Sequence, residues 1–121
     1  MGILAIAAGG ALGAVLRYLL SGWIQEWGGT RFPWGTLAVN VTGSFALGLL
    51  MAGLLEHAAD SSLRSFWTIG VLGAFTTFST FSYETLVLIS IGDWTAGFAN
   101  VAANLGLGLA AALVGLRIGA L

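Results

Sequence analysis

Read along its length, the chain alternates between four long apolar stretches and three short polar ones. The apolar stretches run from about Ile3 to Gly22, Trp34 to Leu55, Phe66 to Ile91 and Trp94 to Leu116. Each has about the 20 residues an α-helix needs to cross about 30 Å of hydrocarbon, which predicts four membrane-spanning helices. Between them lie WIQEWGGTRFP, EHAADSSLRS and the two-residue turn GD. No linker or low-complexity tract separates them, so the pattern predicts one domain over residues 1–121. All five tryptophans, Trp23, Trp27, Trp34, Trp67 and Trp94, fall at or just outside the expected ends, where an amphipathic indole prefers the headgroup level. Pro33 precedes the second helix and pre-sets its first turn without removing an internal hydrogen bond.

Within the spans the polar residues are ordered rather than scattered. Thr36, Asn40 and Ser44 recur every four residues on the second helix, and Asn100, Asn104 and Gly108 do so on the fourth. Each set makes a stripe on one helix face. An amide is costly in hydrocarbon unless it is paired, so both stripes must face protein or water. Interhelical hydrogen bonding and a polar pathway both answer that demand.

The third span carries the densest run, GAFTTFSTFSYET at residues 73–85. Gly70, Gly73, Thr76, Thr77, Ser79, Thr80 and Ser82 combine poor helix formers with side chains that compete for backbone hydrogen bonds. Two outcomes follow: an intact helix whose hydroxyls bond back to the preceding turn, or a local break. A break at membrane depth is tolerated only where it is buried in protein or lines a water-filled cavity, and its freed carbonyls can bind a cation. Phe78 and Phe81, three residues apart, are neighbours on one face of a helix, and their ring edges carry partial positive charge. Such edges can hold an anion where a full positive charge is too costly, although packing is the commoner use of aromatics at this spacing. Glu84 is an intramembrane carboxylate and for that reason a functional candidate. Arg17, placed at the end of the first helix, offers positive potential near one mouth or a snorkelling or capping role. His57 falls in a polar loop as a solvated residue.

Composition narrows the classes. The 121 residues are 58% hydrophobic and 7% charged, with mean hydropathy +0.96, far from the roughly 25% charged usage of soluble domains. Net charge is −1, with four arginines and no lysine, so no basic patch exists to neutralise phosphates and nucleic acid is excluded as a partner. There is no cysteine, which removes disulfide, iron–sulfur and thiol chemistry. No nucleophile–base pair or metal-ligand set is visible, which speaks against an enzyme. The first positive charge follows the first apolar run instead of preceding it, and Ile6 stands where a myristoylation pattern needs Ser or Thr, so the N-terminal segment is read as part of the mature fold.

Arginines near the expected ends divide two against two: Arg64 and Arg117 on the side of both termini, Arg17 and Arg31 on the other. That balance gives no preferred orientation, so the chain can insert both ways and pair with an inverted copy of itself. Four short helices cannot enclose a polar path alone, which also favours an oligomer. Among 19 glycines, the GxxxG pairs Gly9 with Gly13 and Gly115 with Gly119, and the Ser44 with Gly48 pair, allow close helix approach within or between subunits.

The segments GGALGAVLRYLL, FPWGTLAVNVTGS and TIGVLGAFTTFSTFSYE, in this order and followed by one more span, closely resemble the Fluc (CrcB) family of fluoride ion channels. The resemblance covers essentially the whole chain and rests on two long motifs, FPxGTLxVN and TTFSTF. It implies an all-α integral membrane protein of the plasma (inner) membrane: four transmembrane helices, the third broken, assembled as an antiparallel dual-topology homodimer with two fluoride pores. Phe78 and Phe81 would then line the pore, Asn40 would donate to the ion, and Ser79 and Thr80 would add hydroxyls. Asn100 and Asn104 stand where the family commonly carries a tyrosine and serines as a polar track. Arg17 and Glu84 match positions near the vestibule and pore. The backbone carbonyls of Gly73 and Thr76 would hold a structural sodium ion on the two-fold axis, although Gly73-Ala74-Phe75 departs from the double glycine common there. The implied function is passive fluoride export from the cytoplasm. A proton-coupled exporter of the small multidrug resistance type has similar size and topology but needs a carboxylate in its first helix; here Glu84 would have to serve.

Overall fold

Helices form wherever the chain is continuously apolar, and glycine, proline and capping residues sit where they stop. The computed structural model describes residues 2–54, 56–58 and 60–121, and every regular element among them is helical. Three helices, α1 (Gly2–Gly28), α2 (Trp34–Ala52) and α6 (Trp94–Gly119), are each long and apolar enough to span a bilayer. The expected start points Trp34 and Trp94 hold. The expected end of the second span at Leu55 lies outside the described residues; α2 itself stops at Ala52.

The first helix does not stop at Gly22 as hydropathy predicts but continues to Gly28. The reason lies in Gln25, whose side chain closes the following loop. Its Nε2 donates to the carbonyls of Gly29 and Phe32, and its Oε1 accepts from the Gly35 N–H at 3.0 Å. Gly29 turns the chain with φ of 87°, a conformation that suits glycine. Polar residues at the bilayer edge thus extend a helix instead of ending it. In consequence Arg17 lies well inside α1, not at its end, and the comparison of arginines near the helix ends becomes Arg64 and Arg117 against Arg31 alone.

The expected third span, Phe66 to Ile91, is preceded by a short helix from Ser61, ends at Ser90, and is divided into several pieces. α3 (Ser61–Ser65) is N-capped by Asp60, and a π-helical stretch, π1 (Phe66–Leu72), leads into the single turn α4 (Gly73–Phe75). The backbone is then extended at Thr76 (φ −84°, ψ 155°) and Thr77 (φ −149°, ψ 111°), and α5 (Phe78–Ser90) begins anew. Of the two outcomes open for this run, the break is the one that occurs, and Ala74 and Phe75 do not prevent it. Hydroxyl back-bonding occurs beside it: Thr76 Oγ1 donates to the Leu72 carbonyl at 3.0 Å and Ser82 Oγ to the Phe78 carbonyl at 2.9 Å.

Packing is glycine-mediated. A Cβ at Gly13 would strike the Val71 carbonyl and one at Gly9 the Phe66 carbonyl, so α1 lies directly on the backbone of π1, where Gly70 faces Gly9. On the other side Gly48 meets the backbone at Ala112, Gly115 the Phe45 carbonyl and Gly119 the Leu49 carbonyl, which seats α6 on α2. These small-residue pairs therefore serve contacts within the chain. The resulting protein is apolar outside and amide-bearing inside: Ile3, Leu4 and Leu109 are more than 70% exposed, whereas Val39 and Asn100 are fully buried. That inversion suits lipid as the surrounding medium.

Candidate functional site

The break creates an accounting problem, because extended residues cannot pair within a helix and their part-buried backbone groups still need partners. Asn40 on α2 solves it. The Thr77 N–H donates to Asn40 Oδ1 at 2.8 Å, and Asn40 Nδ2 donates to the Thr77 carbonyl at 3.1 Å. One side-chain amide so pairs edge to edge with one backbone residue. Because the Thr77 N–H is given to Asn40, the Gly73 carbonyl lacks the i+4 donor that an unbroken helix would supply. Arg17 Nε reaches across from α1 to donate to the Ala74 carbonyl at 3.0 Å, setting a positive charge at the negative end of the first half-helix. Thr77 also caps the second half: its Oγ1 accepts from the Thr80 N–H at 3.2 Å and donates to Thr80 Oγ1 at 2.8 Å, with Ser79 Oγ 3.5 Å away. Arg17, Asn40, Gly73, Thr76, Ser79 and Thr80, drawn from different parts of the sequence, meet at this break.

The two rings stand at the start of α5. Phe78 and Phe81 have centroids 5.4 Å apart at an interplanar angle of 62°, an edge-on arrangement. Phe81 is 6% exposed, whereas Phe78 is 74% exposed and turns away from the rest of the chain. A cleft of about 200 Å³ runs beside them, walled by Asn40, Thr77, Phe78, Phe81 and Asn104. It joins ring edges, hydroxyls and amides in one place, without a charged side chain.

Behind the cleft the Asn stripe of α6 is hydrogen-bonded throughout. Asn40 Nδ2 donates to Asn104 Oδ1 at 2.9 Å, and Asn104 Nδ2 donates to both the carbonyl and Oδ1 of Asn100, each at 2.9 Å. Asn100 Nδ2 donates to Thr85 Oγ1 at 2.9 Å, and Thr85 Oγ1 donates to the Phe81 carbonyl at 2.8 Å. Asn100 is fully buried and Asn104 is 9% exposed, so Asn104 borders the cleft and Asn100 does not. Interhelical pairing is what holds Asn100.

Glu84 sits apart from this cleft. Its Oε1 accepts from Thr36 Oγ1 at 2.7 Å, while Oε2 is buried without a protein partner among the described residues. The carboxylate borders a second cavity of about 380 Å³, walled also by Gln25, Arg31, Phe32 and Tyr83 beneath the loop between α1 and α2. His57 is exposed, as its loop position suggests. Three groups escaped the sequence reading: the Ala74 carbonyl, Thr85 and Thr77 in its role as Asn40's partner. Thr85 lies one turn after Phe81, but nothing in spacing joins it to Asn100. A freed carbonyl near an unpaired arginine has no sequence signal at all.

The family model described as "CrcB-like protein, Camphor Resistance (CrcB)" matches residues 4–116. Among curated proteins, the chain is similar to a "Fluoride-specific ion channel FluC" of Dehalococcoides mccartyi, 50% identical over 120 residues that cover 98% of this chain and 92% of the relative. It is similar to one of Thermus thermophilus with the same printed name, 47% identical over 116 residues covering 96% and 91%. A third, from Rhizobium meliloti, is 45% identical over 117 residues covering 96% and 94%.

Proposed function

The chain belongs to the CrcB family, and on that premise we propose that it is a fluoride-selective channel giving passive export of fluoride from the cytoplasm. It is a multi-pass membrane protein, and its family carries out transport, not enzymatic chemistry. The observation that carries the fluoride reading is the match to channels named fluoride-specific over nearly the full chain. The cleft supports it chemically. A small, strongly hydrated anion can exchange its water there for donors from Asn40 and the hydroxyls of the cleft wall and for the positive edges of Phe78 and Phe81, with Ser79 and Thr80 adding hydroxyls from just beyond that wall. Fluoride that enters an acidified cell as neutral HF dissociates inside and leaves through the channel as the anion.

In this reading the pieces of residues 61–90 together make the third of four crossings, in one domain of the plasma (inner) membrane. The working unit is an antiparallel dual-topology homodimer with two pores. Phe78, Ser79 and Gly73 are exposed on the single subunit at the depth of the break, where lipid would leave a hydroxyl and a backbone carbonyl unsatisfied. A partner subunit covering that face removes the cost. The difference of one arginine near the helix ends between the two sides is small enough for both insertions. Gly73 is exposed and Thr76 half-buried at the break, and in this reading their carbonyls would coordinate a structural sodium ion shared with the partner. Arg17 serves the pore through the break it caps, Glu84 borders its outer cavity, and Asn100 and Asn104 back the wall.

Proteoliposomes loaded with fluoride or chloride test the proposal. Fluoride efflux that is fast only when a potassium ionophore relieves the voltage, with chloride retained, is the expected result. Efflux that needs a pH gradient and proceeds without the ionophore would overturn passive conduction and favour a Glu84-centred exporter. Phe81→Ile is expected to cut fluoride flux more than tenfold, the scale of about 1.4 kcal/mol at the barrier, while the protein still elutes as the wild-type dimer. Undiminished flux would remove Phe81 from the pathway.

A further inference from the structure

Resting on the fluoride-channel reading, we infer that Asn104 is a positioning residue that occupies an Asn40 N–H as a replaceable acceptor, which the passing anion must displace. A primary amide has two N–H groups, and both of Asn40's are committed, one to the Thr77 carbonyl and one to Asn104 Oδ1. The first bond holds the break together. The second joins two side chains that both border the cleft, so it is the one that can be exchanged for an ion at lower cost to the backbone.

The direction of this bond is fixed from both ends. At one end the Phe81 carbonyl can only accept, so the Thr85 hydroxyl donates to it and offers its lone pairs to Asn100 Nδ2. Asn100 must then present Oδ1 to Asn104 Nδ2, and Asn104 must present Oδ1 to Asn40. At the other end the Thr77 N–H can only donate, so Asn40 must turn Oδ1 to it and Nδ2 away. Every amide in the chain from Thr77 to Phe81 therefore has one allowed orientation. Asn104 shows the cleft an acceptor and no donor, because its Nδ2 is held by Asn100. It cannot ligand an anion directly in this arrangement. What it does is keep the Asn40 donor aimed and satisfied while the cleft is empty, avoiding an orphaned N–H at membrane depth, and yield it when fluoride arrives.

Two variants test this against fluoride concentration in the same vesicles. Asn104→Leu removes the competing acceptor at similar side-chain size, so the half-saturating fluoride concentration is expected to fall several-fold, the scale of exchanging one neutral hydrogen bond, with a lower maximal flux. Thr85→Val, isosteric and outside the cleft, releases the far anchor and lets Asn100 and Asn104 flip; it should move half-saturation the same way by a smaller factor. The Thr85→Val result decides alone if Asn104→Leu is not recovered folded. Unchanged half-saturation in both variants overturns the inference while wild-type conduction upholds the channel. Loss of fluoride selectivity in the wild type overturns both.

Discussion

Asn40→Leu is expected to abolish fluoride efflux and to lower the temperature at which the detergent-extracted protein aggregates. The substitution keeps the volume but removes three hydrogen bonds at once: those to the Thr77 N–H, the Thr77 carbonyl and Asn104 Oδ1. Each buried polar group left unpaired costs about 1–3 kcal/mol, so the break loses on the order of 3 kcal/mol or more. The chain has one local escape. The Thr77 N–H can return to the Gly73 carbonyl and continue the helix through residues 76 and 77, which turns Phe78 and Phe81 out of register with the cleft and withdraws the carbonyls proposed for sodium. Stability is then partly recovered and conduction is not. Asn40→Asp separates the effects, since a carboxylate still accepts from the Thr77 N–H but offers no donor and repels the anion. It is expected to fold better than Asn40→Leu and to conduct no better. Flux assays with thermal elution profiles give both readouts; wild-type efflux through Asn40→Leu would show that the amide clamp is not needed for a conducting path.

Much of this arrangement was legible before any coordinates, and the reason is specific to lipid. Polar side chains inside a membrane are costly, so the spacing of Asn40, Asn100 and Asn104 requires that they face protein or water: Asn100 is fully buried, and Asn40 and Asn104 border the cleft. The run at residues 73–85 carries enough backbone competitors to leave a break and a back-bonded helix both open, and the break falls within it. What remained hidden depends on partners far away in sequence. Arg17 and Ala74 are separated by 57 positions, and only the packing of α1 on π1 brings the guanidinium to the freed carbonyl. Hydropathy ended α1 early because it scores Gln25 as loop-forming, whereas that side chain is the clamp that lets the helix persist. The π-helical stretch at Phe66–Leu72 is invisible for a related reason: its sequence is ordinary for a span, and it lies where two glycines admit another backbone.

That close approach makes Gly13→Leu the substitution with the largest expected effect on folding. The new side chain would begin inside the space of the Val71 carbonyl, so the clash is with backbone and no rotamer relieves it. Overpacking a core normally costs about 1–3 kcal/mol. Here α1 must move as a body away from π1, which also breaks the Gly9 and Gly70 contacts and pulls Arg17 from the Ala74 carbonyl. A loss of more than about 4 kcal/mol follows, enough to leave little folded protein. Gly10→Leu is the matched control: a Cβ there meets nothing within 4 Å, and leucine is the better helix former by roughly 0.5–1 kcal/mol. Gly10→Leu should be extracted and elute like wild type, whereas Gly13→Leu should aggregate or fail to accumulate. Equal recovery of conducting protein from both would mean that α1 does not rest on π1 in the working channel, and Arg17 would then lose the contact through which it steadies the break.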